Sequence, residues 1–361
     1  MSLVFSYQLP VVPCLRLRFT LIAEQNATLY TFKGSMLRGA FGHALRKTVC
    51  VMGPEQPCPT CMLRKQCAYP RLFETLIEPD ESAPRFLRGL PTAPRPYVFE
   101  PFDNRIHYTA GDPLQFDLIL IGQAIDFFPY AIFAVSQMAE SGLSAKRFRF
   151  RLQDVKWEAK RKPASMRVRS EKSPVTSEQT IESEWRLLYD GGAKRLLEAP
   201  TPQLPTIPPA ITSHLPLLTC NFLTPTRLKF GDDLTMDFTF RMLVFKMLRR
   251  VLELAHFHVP GAEINWGFHP LLVAADDIKI VSRDLEWVDW ERRSNRQNVE
   301  MKMGGFVGSL TLEGNFEQYA ELLAACEVLH VGKACVFGNG KIRCSREEPL
   351  DKATLPHETE S

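Results

Sequence analysis

The sequence predicts an α+β protein built from two tandem ferredoxin-like units, with a cysteine-rich insertion in the first. Three observations carry that expectation. Strand-type and helix-type patterns succeed one another as strand, helix, strand, helix, strand over the first half. The same succession returns after a proline-rich stretch, and a cysteine cluster interrupts only the first copy. A chain of 361 residues, 45% apolar and 24% charged, can fill two cores. The expected boundaries are an N-terminal unit over 1–200 with its insertion at 50–75, a C-terminal unit over 214–350, and a flexible tail over 351–361.

In the first unit, Leu15, Leu17 and Phe19 alternate with Arg16 and Arg18, the pattern of a half-buried strand. A helix follows over Gly34–Val49, where Leu37, Phe41, Ala44 and Leu45, with Thr48, recur at helical spacing. At about 100° per residue, Gly39, His43, Arg46 and Lys47 share the opposite flank. Gly39 leaves that flank bare enough for a ligand backbone to approach. An imidazole among cations suits proton transfer beside a phosphate; a surface histidine on a solvated basic face is the plainer alternative. Leu114, Phe116, Leu118 and Leu120 predict another strand and Tyr130–Met138 another helix. Phe148, Phe150 and Leu152, alternating with Arg147, Arg149 and Arg151, predict a third strand, whose cationic face repels itself unless an anion lies across it. Residues 157–214 turn polar and then proline-rich, as a hairpin or extension followed by a linker.

The second unit repeats the plan. Strands are expected near Leu217–Leu223, Ile278–Val281, Glu286–Arg292 and Gly305–Leu312, and helices over Leu234–Leu254 and around Phe316–Cys326. His256 and His258 close the first of these helices with no third ligand at metal spacing, so packing or surface roles are expected of them. The last segment brackets Lys333, Lys341 and Arg343 with Gly332, Gly338 and Gly340. Glycines bring backbone N–H groups close to phosphates and the cations supply charge, although a plain turn explains the same residues. No Walker A loop and no dinucleotide fingerprint is present.

Nine cysteines are clustered rather than scattered. Cys50, Cys58, Cys61 and Cys67 follow the spacing C-x7-C-x2-C-x5-C among Gly53, Pro54, Pro57 and Pro59. Four thiolates so placed suit a structural zinc, with an iron–sulfur cluster and free loop thiols as the alternatives. The other five, Cys14, Cys220, Cys326, Cys335 and Cys344, read as small core residues. A net charge of +3 identifies no partner, but ten Lys or Arg stand against two acids between Lys146 and Arg169. The amino-terminal stretch lacks a cationic n-region, and the most apolar window, Leu118–Val135, contains Gln123, Asp126 and Pro129, so a cytoplasmic protein that does not enter membranes is expected.

The helix and cysteine cluster, Ala68-Tyr-Pro-Arg-Leu-Phe-Glu, Tyr108-Thr-Ala-Gly-Asp and Leu120-Ile-Gly-Gln-Ala resemble one group of CRISPR precursor-RNA-processing endoribonucleases of the repeat-associated mysterious protein (RAMP) superfamily. Thr224-Pro-Thr-Arg-Leu, Arg292-Arg-Ser-Asn-Arg-Gln, Gly304-Gly-Phe-Val-Gly and the glycine-rich ending extend the resemblance to roughly residues 10–347. The resemblance implies tandem ferredoxin-like domains, repeat-RNA binding on a basic surface, and one metal-independent cut per repeat. In that cut the 2′-hydroxyl attacks, leaving a 2′,3′-cyclic phosphate and a 5′-hydroxyl. It further implies His43 as general base, Lys47 stabilising the phosphorane, and Tyr30 positioning or protonating, with His330 as a competing base. RNA contacts are expected from Arg38, Arg46, Arg147, Arg149, Arg227, Arg293, Arg296, Lys333, Gly338, Gly340 and Lys341, with Trp287 and Trp290 available to cover bases. Two other readings stand beside this one: a non-cleaving RAMP subunit holding guide RNA in an effector complex, and a redox or regulatory protein built on the cysteines.

Overall fold

The computed structural model describes residues 7–345, apart from position 54, positions 78–91 other than 84, 87 and 90, positions 164–180, positions 209–216 other than 211, and positions 290 and 295–298. The expected tail, Trp290 and Arg296 lie outside the described residues.

The first unit runs β1 (Cys14–Ala23), α1 (Lys33–Val49), β2 (Tyr97–Pro101), β3 (Pro113–Ile121), α2 (Phe128–Ser141) and β4 (Phe150–Pro163), with β5 (Ile181–Asp190) extending the sheet. Its antiparallel order is β2-β3-β1-β4-β5, ending on the two-residue strand Arg195–Leu196. The second unit runs β6 (Leu217–Thr226), α3 (Phe240–His258), β7 (Lys279–Val288), β8 (Gly305–Glu313), α4 (Ala320–Leu329) and β9 (Ile342–Ser345), in the order β7-β8-β6-β9. Both units therefore repeat one antiparallel arrangement, in which the first strand lies between the third and the fourth and the second takes the edge. That is the ferredoxin-like split βαβ plan. Among the described residues no helix is long and apolar enough to cross a membrane.

Several boundaries moved for local reasons. The helix expected from Leu234 starts at Phe240, because the Thr239 side chain caps it by accepting from Met242 N at 3.3 Å, while Leu234 pairs with Lys229 in a short hairpin. The strands expected at Ile278–Val281 and Glu286–Arg292 are largely one strand, β7, continued by the hairpin Glu291–Ser294 with Val299–Lys302. Arg147 precedes β4 in a turn at φ +56°, so the three arginines do not form one strand face.

Alternation assigns the sheet faces. Leu15, Leu17, Phe19 and Leu21 of β1 pack with Leu37, Phe41 and Leu45 of α1 and Val135 and Met138 of α2. Phe41 meets Tyr97 and Phe99 edge-on at centroid distances of 5.7 and 5.4 Å. Replacing it by Ala would cost about 3–5 kcal/mol. The opposite sheet face divides in two. Cys14, Val98, Ile119 and Ile121 join the core of the second unit, against a cluster that includes Phe222, Met247 and Val251. The remainder of that face is ionic and largely buried, although Arg16 and Arg18 read from the sequence as a solvated flank. Arg16 Nη1 lies 3.0 Å from Glu100 Oε2 and 3.2 Å from Asp117 Oδ2. Arg18 bonds Asp117 through Nε at 2.9 Å, with its guanidinium 4.5 Å from the Phe102 ring and 3.8 Å from that of Trp185. From the second unit, Lys341 Nζ reaches Glu100 Oε2 at 2.7 Å and His330 Nε2 reaches Oε1 at 2.8 Å. Burial alone would raise the Glu100 carboxyl, but Arg16, Lys341 and His330 hold it well below the ordinary carboxylate range.

Candidate nucleic-acid interface

A groove of about 3290 Å³ opens between the two units. Its first wall is α1. His43 and Lys47 stand exposed on the flank away from the buried Leu37, Phe41 and Leu45, and a β-carbon placed on Gly39 would meet nothing within 4 Å. Exposed Tyr30, just before the helix, completes this wall. The facing wall is the glycine-rich segment, which docks on the start of α1: a β-carbon at Gly34 would come 1.8 Å from Phe337 O, so only glycine permits the approach. Arg38 packs between the two walls, its guanidinium 3.9 Å from the Phe73 ring and 5.9 Å from that of Phe337.

The groove gathers most of the residues expected from sequence: Tyr30, Arg38, His43, Arg46, Lys47, Arg147, Arg227, Lys333 and Gly338. It adds six cations that sequence reasoning missed, Lys33, Arg95, Lys229, Lys246, Arg249 and Arg250. In all, twelve Lys or Arg line it against four acids, Glu74, Glu253, Glu286 and Asp289. A concave surface so biased concentrates polyanions.

Other expected residues have different surroundings. Arg46 turns toward the insertion, donating to Gln56 O at 3.1 Å beneath the Tyr69 ring. Arg149 lies 3.5 Å from Glu24 and does not line the groove. Lys341 has its ammonium on Glu100. Gly338 and Gly340 have φ of +90° and +75°, and β-carbons there would stand 2.6 Å from Phe99 O and 1.9 Å from Val331 O, so both answer to backbone packing. His330 is fully buried, ends α4, and also places Nδ1 2.8 Å from Asn339 O, out of reach of a groove ligand. Trp287 Nε1 donates to Asp289 at 2.8 Å. Arg293 sits on the short hairpin, and its side chain lies outside the described residues. His258 is buried and donates through Nε2 to Pro94 O at 2.6 Å, a packing role.

The insertion starts where α1 stops. Cys50 is the C-terminal cap of the helix, and its thiol donates to Gly53 O at 3.5 Å. Burial pushes the Cys58 and Cys67 thiols up, and Cys50 lies near enough to raise both further. Thiol chemistry suits zinc. Yet among the described residues no three or more His, Cys, Asp or Glu are gathered as a metal would need. The geometry therefore does not support the expected zinc site.

A family model described as an N-terminal domain matches residues 11–182, and the model for the CRISPR-associated endoribonuclease Cas6 matches residues 220–342. The Cas6 match lies wholly within the second unit. No curated protein matches it. Among solved structures it is similar to a partial Cas6-RT-Cas1–Cas2 complex at 14% identity and a TM-score of 0.50, over 94% of this chain and 47% of that one. Two others are a Cas6 product complex (17% identity, TM-score 0.47, 92% and 98% covered) and Thermus thermophilus Cas6 (15%, 0.46, 94% and 100%). The groove thus takes one wall from each matched segment.

Proposed function

We propose that the chain binds CRISPR repeat RNA in the groove and cleaves the precursor transcript once per repeat, without a catalytic metal. The observation that carries this reading is the placement of His43 and Lys47 one turn apart on the bare flank of α1, inside a strongly cationic groove. The Cas6 family match supports it, and the solved neighbours include a product complex of a Cas6 protein.

The chemistry needs only side chains of these types. His43, as the neutral imidazole, takes the proton of the 2′-hydroxyl upstream of the scissile phosphate. The 2′-oxygen attacks phosphorus, the bond to the 5′-oxygen breaks, and Lys47 offsets the charge that builds on the non-bridging oxygens. Tyr30 supplies a proton to the departing 5′-oxygen, leaving a 2′,3′-cyclic phosphate and a 5′-hydroxyl. The product guide RNA, and through it other CRISPR effector subunits, are the partners this reading implies.

The test is gel analysis of end-labelled cognate repeat RNA in EDTA. Wild-type protein is expected to cut once. His43→Ala is expected to lose at least about a hundredfold in rate while binding the RNA as before. Wild-type-like cleavage by the variant would remove His43 from the mechanism. Tight binding with no cutting by wild type would instead establish the non-cleaving RAMP role.

A further inference from the structure

The second unit's wall of the groove carries a charge arrangement that the cleavage chemistry does not use. Lys246 projects from the middle of α3, its ammonium 4.4 Å from the Phe230 ring and 5.5 Å from that of Phe245. Lys333 comes from the glycine-rich segment, and its backbone N–H donates to Arg227 O at 3.0 Å. Gly332, at φ +87°, lets that contact form, since a β-carbon there would lie 2.5 Å from Arg227 O. A helix, a strand end and a glycine-clamped loop thus bring Lys246, Lys333 and Arg227 to one wall of the groove.

The acids that reach these lysines are engaged elsewhere. Asp232 pairs with Lys229 at 2.9 Å, and Glu253 pairs with Arg249. Among the described residues, neither Lys246 nor Lys333 has a carboxylate within ion-pair distance. Both ammonium groups are pushed down, first by burial and then by neighbouring cations: Arg249 and Lys333 act on Lys246, Lys229 and Arg227 on Lys333. Like charges held together by rigid elements raise the free energy of the empty wall, and a bound anion removes that penalty.

We infer that Lys246, Lys333 and Arg227 form a subsite for a backbone phosphate of single-stranded RNA, across the groove from His43. This rests on the RNA-binding reading above and adds Lys246, a helix residue with no motif around it, to the contact set. The phosphate is held by charge alone, so the subsite fixes the path of the strand without reading its sequence.

The experiment measures affinity for labelled cognate repeat RNA at several KCl concentrations, using the full chain and its Lys246→Gln, Lys333→Gln and double variants. Lys246→Gln removes the charge while keeping a flexible polar side chain. Each single variant is expected to flatten the log–log salt slope by about 0.7 and weaken binding several-fold. Because both lysines would hold one phosphate, the double variant should lose less than the sum of the singles. Lys246→Arg should retain the wild-type slope. A wild-type slope for Lys246→Gln with unchanged melting temperature overturns the subsite while leaving RNA binding intact. If Lys246→Gln does not fold, the slope of Lys333→Gln decides, and a wild-type value there overturns the subsite equally. Failure of wild-type protein to bind repeat RNA would instead overturn the RNA reading, and the subsite with it.

Discussion

Two histidines with similar sequence settings have opposite fates, and burial separates them. His43 and His258 both lie on amphipathic helices, yet His43 faces the groove and His258 is sealed against Pro94 of the first unit. Burial, with Arg250 and Arg71 adding to it, pushes the His258 imidazolium down to about 4. A histidine whose folded value lies below its unfolded value of about 6.5 favours the fold fully above that value and loses its contribution as pH falls toward 4. Over that window the loss is about 3 kcal/mol. Urea unfolding of wild type between pH 7.5 and pH 4.5 should show it, and His258→Gln, which retains an N–H donor for Pro94 O, should decline more gently. Parallel declines would show that His258 titrates alike in both states.

Helices and inward strand faces were legible in the sequence because they obey one period and one solvent. The apolar stripe of α1 and the alternation of β1, β3 and β8 read directly, and the exposure of His43 and Lys47 followed from helical geometry. Outward faces were less legible, since alternation separates two faces without saying what covers the second. Arg16 and Arg18 have the signature of a wet flank and lie instead among Glu100, Asp117 and Glu158. Strand β2 went unread: Tyr97, Val98 and Phe99 are all buried, so the segment has no alternation to detect. Lys246 sits on a helix whose sequence shows only amphipathicity, and its place in the groove depends on how the units dock. The cysteines divide cleanly by element. The four of the insertion are partly exposed and the other five are buried. Native protein treated with a colourless disulfide reagent should therefore release four equivalents promptly and all nine only after denaturation. Fewer than four until a chelator is added would mean that a metal holds the insertion after all.

The two units are tied by shared interior as well as by chain. Glu100 accepts from Arg16 on its own sheet and from Lys341 and His330 of the other unit, so a buried carboxylate is satisfied only when both are in place. Lys341→Met should cost on the order of 3 kcal/mol in urea unfolding while leaving the salt slope of RNA binding as in wild type. A flattened slope with unchanged stability would make Lys341 a phosphate ligand instead. Beside this ionic joint, Val98, Ile119 and Ile121 pack into the core of the second unit. During translation the first unit leaves the ribosome before that cover exists, and the nascent chain carries an adhesive sheet face until α3 emerges. Chaperone demand should thus be set by the seam between the units, and a release of the first unit by truncation near residue 200 should yield a sticky fragment rather than an independent RNA-binding module.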